Sequence, residues 1–385
     1  MNILIVTEGF KPYIGGVETR YVRLAEALAA KHYVDVLTIL HNNIPAGVDK
    51  IPEKEEQGNL SIHRVDVGRN YFSKDGTRSL KGVMNFSAKC REHVLRHEYD
   101  AMLLSEWPLL HIIYLYRHDV DSRKRMIVDW HEVWGRYYFG FGLKGLGGYI
   151  FEKLTARLKE VKHIAVSDFT RQRLYKILRV HRNIPVVWNG VDFKEYEGLQ
   201  NTEREYGKIV FFGRFVPHKN IDKLIQAYEI VRNEFMEVSL HIIGDGPLRD
   251  HIKYLASKVY GVHVHIALPR RQLIEHIKSS WIVAIPSSRE GQGISYIEAM
   301  AAGTPVISIR SQLNAFSSMV KDGEEALIAE PTPNSLAASI VRLLKDEELW
   351  RNLSLRGMRF ASNFTWEKTY IEMEKVINDV AEKSC

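Results

Sequence analysis

A chain of 385 residues is too long for one ordinary hydrophobic core and suits two. Its 45% apolar and 26% charged residues describe a soluble globular protein; no uncharged apolar run is long enough to span a bilayer, and its two cysteines, Cys90 and Cys385, build no disulfide framework. The net charge of +6 is uneven, about +8 over residues 1–190 and about −2 over the rest, so the first half either attracts phosphate, anionic lipid or nucleic acid or is a solvated basic surface.

The opening MNILIVTEGF has neither the basic leader nor the small-residue cleavage site of a secretion signal, and it reads as a strand. The expected location is therefore the cytoplasm, with peripheral contact at the inner face of the membrane through the basic first half. Further strands are predicted at YVDVLTIL, SIHRVDV, DAMLLS, RMIVDW, HIAVS and PVVW, with helical patterns between them. In GVETRYVRLAEALAA, helical spacing puts Val17, Leu24 and Leu28 on one side. Residues 190–207 are polar and weakly periodic, and are expected to be a linker. The pattern restarts at 208 with KIVFFG, VSLHIIG, VHVHIAL, WIVAIPS and TPVISI, separated by helices such as NIDKLIQAYEIVRNEF and LIEHIKSS. A last helix, 365–385, has no strand after it and is expected to pack back on the first domain. Such alternation predicts two α/β domains, each a doubly wound, Rossmann-like parallel sheet, over 1–189 and 208–364.

The densest motif is EGQGISYIEAMAAGTPV, 290–306. It follows a buried-strand pattern, Gly291 and Gly293 allow a tight turn, and a helix starts at Ile294 and stops at Gly303 with Pro305 beyond. A strand, a glycine loop and a helix N-terminus make the place where an open α/β sheet binds ligands, and the helix dipole there favours phosphate. Glu290 and Glu298 bracket the unit, and carboxylates suit the paired hydroxyls of ribose or hexose. GRFVPHKN, 213–220, puts Arg214 and Lys219 five apart in a turn; together they can neutralise a diphosphate without a metal ion. Gly15 and Gly16 in GGVE open the first helix. IIGDGP, 242–247, ends a strand in a turn at Gly244 and Asp245, at the ligand edge of the sheet.

Together, GGVE (15–18), VSDFTRQRL (166–174), NGVD (189–192), GRFVPHKN, IIGDGP and EGQGISYIE resemble glycosyltransferase family 4, over nearly the whole chain. The resemblance implies the GT-B fold, two Rossmann-like domains facing across a cleft, and a metal-independent transfer with retention of anomeric configuration. The donor is then a nucleoside-diphosphate sugar, UDP- or GDP-linked, and no cofactor or metal is expected. By the match, Gly213, Arg214 and Lys219 hold the diphosphate and Glu298 the ribose. Glu290 and the Gly291–Gln292–Gly293–Ile294 loop hold the sugar, Gly244 and Asp245 line the site, and Gly15 and Gly16 approach the diphosphate from the other domain. The family's strand-end histidine falls on His131 in VDWHEVW. The acceptor is expected to be a saccharide or a lipid-linked hydroxyl, not nucleic acid. Two departures stand out. Gln292 replaces a bulky apolar residue, bearing on sugar choice, and Ala267-Leu268-Pro269 replaces a glycine turn, bearing on the base pocket.

Other signals are discounted. Asp119-Val120-Asp121 spells a D-x-D, but it follows a helical pattern. His263 and His265 share one strand face without a visible third ligand. No phosphate-binding GxxxxGK[ST] loop occurs. The aromatic segment 131–154 (Trp134, Tyr137, Tyr138, Phe139, Phe141) reads as a buried wall, a sugar-stacking platform or a membrane-touching patch. A nucleotide-sugar epimerase, a sugar phosphorylase or a non-catalytic binding subunit on the same scaffold remains the alternative.

Overall fold

The computed structural model describes residues 1–41, 50–68, 71, 78–118, 120–197 and 202–382; Asp119 of the D-x-D and Cys385 lie outside them. The chain forms two compact units, residues 1–188 with 367–385, and residues 189–366. The segment expected as a linker belongs to the second unit and opens with a short helix, Phe193–Glu197.

The first unit is a seven-stranded sheet in the order β3-β4-β2-β1-β5-β6-β7. Its strands are β1 (Asn2–Val6), β2 (Tyr33–Ile39), β3 (Lys54–Gln57), β4 (Leu60–Val65), β5 (Ala101–Ser105), β6 (Met126–Trp130) and β7 (Lys162–Ala165). All pairs are parallel except β3 with β4. Side chains alternate across the sheet, so both faces must be covered. Leu4, Val6, Leu104 and Val128 pack on one side with Phe86, Cys90 and Leu174. Ile3, Ile5, Leu103 and Ile127 pack on the other with Tyr21, Leu24 and Leu28. Met373, Ile377 and Val380 of the last helix, Trp366–Glu382, complete that second face. The PVVW run, expected as a strand, contributes only a bridge from Val186 to Ala165.

The second unit has a six-stranded sheet in the order β10-β9-β8-β11-β13-β15, and a small pair, β12 with β14. The strands are β8 (Glu205–Phe212), β9 (Ser239–Ile243), β10 (Val262–His265), β11 (Ser280–Ala284), β12 (Arg289–Glu290), β13 (Val306–Ile309), β14 (Leu313–Asn314) and β15 (Leu327–Ala329). Every pair is parallel. In such sheets the carboxyl ends of the strands share one edge, and there the chain turns into its helices.

Candidate functional site

In the second unit, the segments after β8, β9 and β11 meet at that edge. Gly213 follows β8 at φ +147. A Cβ there would lie 4.0 Å from the Lys219 ammonium, so the glycine keeps the approach to that cation open. Lys219 is only 8% exposed, and its Nζ lies 2.5 Å from Glu290 Oε1. The Glu290 side chain in turn runs beside Gly293, where a Cβ would sit 3.7 Å from Glu290 Cγ. Gly293 precedes the helix Ile294–Ala301 at φ +84, and that helix is anchored from below by Tyr296, which stacks on Phe316 at 4.0 Å and donates to the Ile285 carbonyl. Gly213, Lys219, Glu290 and a helix N-terminus are thus one contiguous surface. Arg214 is exposed and makes no ion pair among the described residues. Its charge is felt locally: burial, then Arg289, Lys219 and Arg214, push His218 down to about 2. Arg289, Lys219 and Arg214 thus all act on this one turn, with Glu290 paired to Lys219.

The turn itself is backbone packed on backbone. Gly213 N donates to the Ile243 carbonyl and Phe215 N to the Asp245 carbonyl. A Cβ on Gly244 would fall 1.9 Å from the Gly213 carbonyl oxygen, and one on Gly246 would fall 2.6 Å from that of Phe215. The Gly-Asp-Gly turn therefore shapes the cation-bearing loop. The Asp245 carboxylate accepts from Arg249 Nε at 2.7 Å and from Gly246 N, and these bonds hold it in the charged form despite partial burial.

Glu298 is held by a residue not singled out from the sequence. Arg270 Nη1 lies 2.5 Å from Glu298 Oε1, and the same guanidinium donates to Glu195 at 2.7 and 2.9 Å. The pair of carboxylates keeps Arg270 firmly protonated against its burial. Gln292 is bonded to the main chain of Asn189. Its amide is 2% exposed; Oε1 accepts from Asn189 N at 2.7 Å and Nε2 donates to the Asn189 carbonyl at 2.9 Å. Those bonds occupy both ends of the side-chain amide. They also give the NGVD run a physical role: a Cβ on Gly190 would lie 2.2 Å from the Thr365 carbonyl carbon, and Val191 N donates to the Phe364 carbonyl. The motif fastens two crossing backbones.

In the first unit, His131 follows β6 and is 8% exposed. Its Nε2 lies 3.1 Å from Tyr21 Oη, and Tyr21 Oη donates to Asp129 Oδ2 at 3.2 Å. Arg20 Nε also reaches Asp129 Oδ2, at 2.7 Å, while Nη1 donates to the Val187 carbonyl at 2.9 Å. Burial, which outweighs Asp129, lowers His131 to about 4, so its imidazole is neutral at pH 7. Glu106, just past β5, accepts from the backbone N–H groups of His131 and, at 2.8 Å, Glu132; burial drives its own carboxyl well up. Arg20, Tyr21 and Asp129 are polar groups in helix or strand positions and Glu106 sits just past a strand, and a single sequence gives no signal that separates them from surface residues. Gly15 and Gly16 open the helix Gly16–Ala29. A Cβ on Gly15 would sit 2.2 Å from Glu18 Oε2 and one on Gly9 would sit 2.6 Å from Glu18 Oε1, so the carboxylate of GGVE folds back between two glycines at the helix start.

In the aromatic segment, Tyr138 is buried against Trp134 and Trp107, whereas Tyr137, Phe139 and Phe141 are exposed. Glu152 accepts from Trp134 N and Gly135 N and fixes the loop's start; burial raises it to about 7. The discounted histidines also change standing. His263 and His265 have His241 and His276 beside them.

Comparison with known proteins follows the same division. The model of Glycosyltransferase Family 4 matches residues 14–195, and that of Glycosyl transferases group 1 matches residues 193–359. An uncharacterized glycosyltransferase of Methanocaldococcus jannaschii is 27% identical over 391 residues, covering 97% of each chain. Among solved structures, sucrose-phosphate synthase from Thermosynechococcus elongatus is similar with a TM-score of 0.79 at 18% identity, covering 98% of each chain. The Anabaena protein HepE in complex with UDP-glucose is similar with a TM-score of 0.74 at 17% identity, covering 98% of this chain and 100% of that one.

Proposed function

The chain belongs to glycosyltransferase family 4 and is a glycosyltransferase of the GT-B fold, and on that premise we propose that it moves a hexose from a UDP- or GDP-sugar to a hydroxyl acceptor, without a metal and with retention at the anomeric carbon. The observation that carries the donor assignment is the continuous run from Gly213 through Lys219 and Glu290 to the helix start at Ile294. A diphosphate suits that surface because Lys219 and Arg214 supply two positive charges and the helix supplies oriented N–H groups.

In this reading Arg214 and Lys219 bind the diphosphate and stabilise the charge that develops as the glycosidic bond to it breaks. A diphosphate competes with Glu290 for Lys219, which leaves the Glu290 carboxylate to accept hydroxyls of the sugar alongside backbone from Gly291 to Gly293. Glu298, steadied by Arg270, accepts the ribose hydroxyls through its remaining lone pairs. His131, neutral and oriented by Tyr21, is suited to donate or accept a hydrogen bond from a sugar hydroxyl. The acceptor hydroxyl attacks, and its proton passes to the departing diphosphate. No side chain is assigned as a covalent nucleophile.

A lipid-linked saccharide as acceptor is supported by the helix Gly142–Ala156 of the first unit, which exposes Leu146, Ile150 and Leu154 four residues apart, near exposed Phe139 and Phe141. Incubating the chelator-treated enzyme with UDP- and GDP-sugars tests the whole reading. A rise in melting temperature with one nucleotide series, and a glycosylated acceptor whose anomeric configuration matches the donor, are expected. An inverted product, or activity that disappears with chelation and returns with a divalent ion, contradicts it.

A further inference from the structure

On the second unit, four histidines collect on one face of the sheet edge. His241 lies in the middle of β9. His263 and His265 are two apart on β10 and so share its face, and His263 is in register with His241. The helix Arg270–Ser279 brings His276 against them. One ring nitrogen from each of His241, His265 and His276 lies within 4.8 Å of the other two. We propose that His241, His265 and His276 form a binding site for one divalent first-row transition-metal ion of the Zn²⁺ type.

Two features favour an ion over a merely polar patch. The first is the contact between His241 Nδ1 and His265 Nε2, at 3.1 Å. Two lone pairs facing one another need a proton between them, and a metal ion can replace it. Tetrahedral zinc with Zn–N bonds of about 2.0–2.1 Å sets its nitrogens roughly 3.3 Å apart, close to the separation already present. The second is His276 Nδ1, which is buried and has no hydrogen-bond partner. An unpaired buried ring nitrogen is costly, and coordination or a re-aimed hydrogen bond is the way to satisfy it. The adjacent ammonium of Lys208 is met by Glu205 at 2.6 Å and by Ser279 Oγ at 2.7 Å, which tempers its repulsion of a cation.

The donor set is all nitrogen, so Mg²⁺ and Ca²⁺, which want oxygen, are poor occupants. The other candidate group, Asp35 with His63 and His93 in the first unit, is already consumed internally. Tyr99 Oη donates to Asp35 at 2.6 Å and lies 2.7 Å from His93 Nε2. An ion bound at His241, His265 and His276 would pin β9 and β10 to the helix whose first residue, Arg270, holds Glu298. That role is structural, and it stands apart from the metal-free chemistry proposed for the donor site.

The test uses the full chain without a histidine tag, stripped of metal. Titration with Zn²⁺ against a chelating dye should show one ion per chain, and Co²⁺ should give visible absorption bands of nitrogen coordination. Zn²⁺, but not Mg²⁺, should raise the melting temperature. His276→Ala and, separately, His265→Gln should each weaken Zn²⁺ on the order of a hundredfold. His93→Ala should leave the affinity unchanged. Far-UV circular dichroism of the metal-free variants checks folding, and either of the two site variants that folds suffices. Absence of tight Zn²⁺ binding by the parent chain, full affinity in a folded site variant, or loss of binding in His93→Ala instead, would each overturn the proposal.

Discussion

Arg214 and Lys219 share a turn but not an environment, and their substitutions should separate accordingly. Arg214 is exposed and unpaired among the described residues, so Arg214→Ala removes no hydrogen bond or ion pair among them. It should lower kcat by about 10²–10³, the usual loss when one donor to developing charge is removed, with the urea midpoint unchanged. Lys219 is bonded to Glu290, and both are largely buried. Lys219→Ala strands that carboxylate, so it should cost about 1–3 kcal/mol of stability as well as turnover. Steady-state kinetics and urea unfolding on both variants decide the point; an Arg214→Ala enzyme with normal kcat ends the diphosphate assignment for that residue. At this scale the sequence is legible in position: His131 follows β6 as its place in VDWHEVW predicts, and Lys219 and Glu290 lie in the segments after β8 and β11. It is opaque where a partner lies across the fold. Gln292 reads as a sugar-facing departure because nothing in one sequence says that the main chain of Asn189, 103 residues earlier, crosses beside it. Arg270 reads as an ordinary helix-start cation for the same reason, since Glu298 reaches it only through the fold.

Elements follow the same logic one level up. The central strands of both sheets are continuous apolar runs buried on two faces, which a parallel sheet requires, and they were readable as such. β3, with the sequence KEEQ, lies at an edge and pairs antiparallel; it buries almost nothing and carries no apolar signal. β15 is three residues long, too short for a period to show. The loops between elements are set by close backbone approach, and here the glycines make a testable distinction. Gly244 and Gly323 both have positive φ, but a Cβ on Gly244 runs into the Gly213 carbonyl at 1.9 Å whereas one on Gly323 meets nothing within 4 Å. Gly323→Ala should therefore cost only the backbone strain, about 1–2 kcal/mol. Gly244→Ala adds an overlap that the loop bearing Arg214 and Lys219 must relieve by moving, which raises the total to about 2–4 kcal/mol and weakens nucleotide binding. Equal urea midpoints and equal nucleotide affinities for the two variants would show that the two loops do not hold each other in place.

The whole molecule should be sensitive to mild acid, and the sign follows from its buried histidines. Burial lowers His111 and His131 to about 4 and His163 to about 3; His93 is held near 4 and His218 near 2 by burial together with neighbouring positive groups. The ordinary value is 6.5, so below that pH the unfolded chain takes up protons that the folded chain refuses. Stability contributed by these groups is complete above pH 6.5 and is lost as pH falls from there toward 4. Two carboxyls act the other way: burial lifts Glu152 to about 7 and Glu106 well up, so the folded chain holds two protons that the unfolded chain releases above about 4.5. These five, with His241, His265 and His276 lowered by burial and neighbouring positive groups as well, outnumber the two carboxyls and leave the unfolded state with the larger proton uptake between pH 6 and 4.5. Each surplus proton steepens the loss by about 1.4 kcal/mol per pH unit. Urea unfolding at pH 7.5, 6.5, 5.5 and 5.0 should show a midpoint that is nearly level at the first two values and then drops, with the slope m unchanged as long as the same surface is exposed. A midpoint that stays level down to pH 5, or rises, would mean that water reaches these rings and that the packing around them is looser than their burial implies.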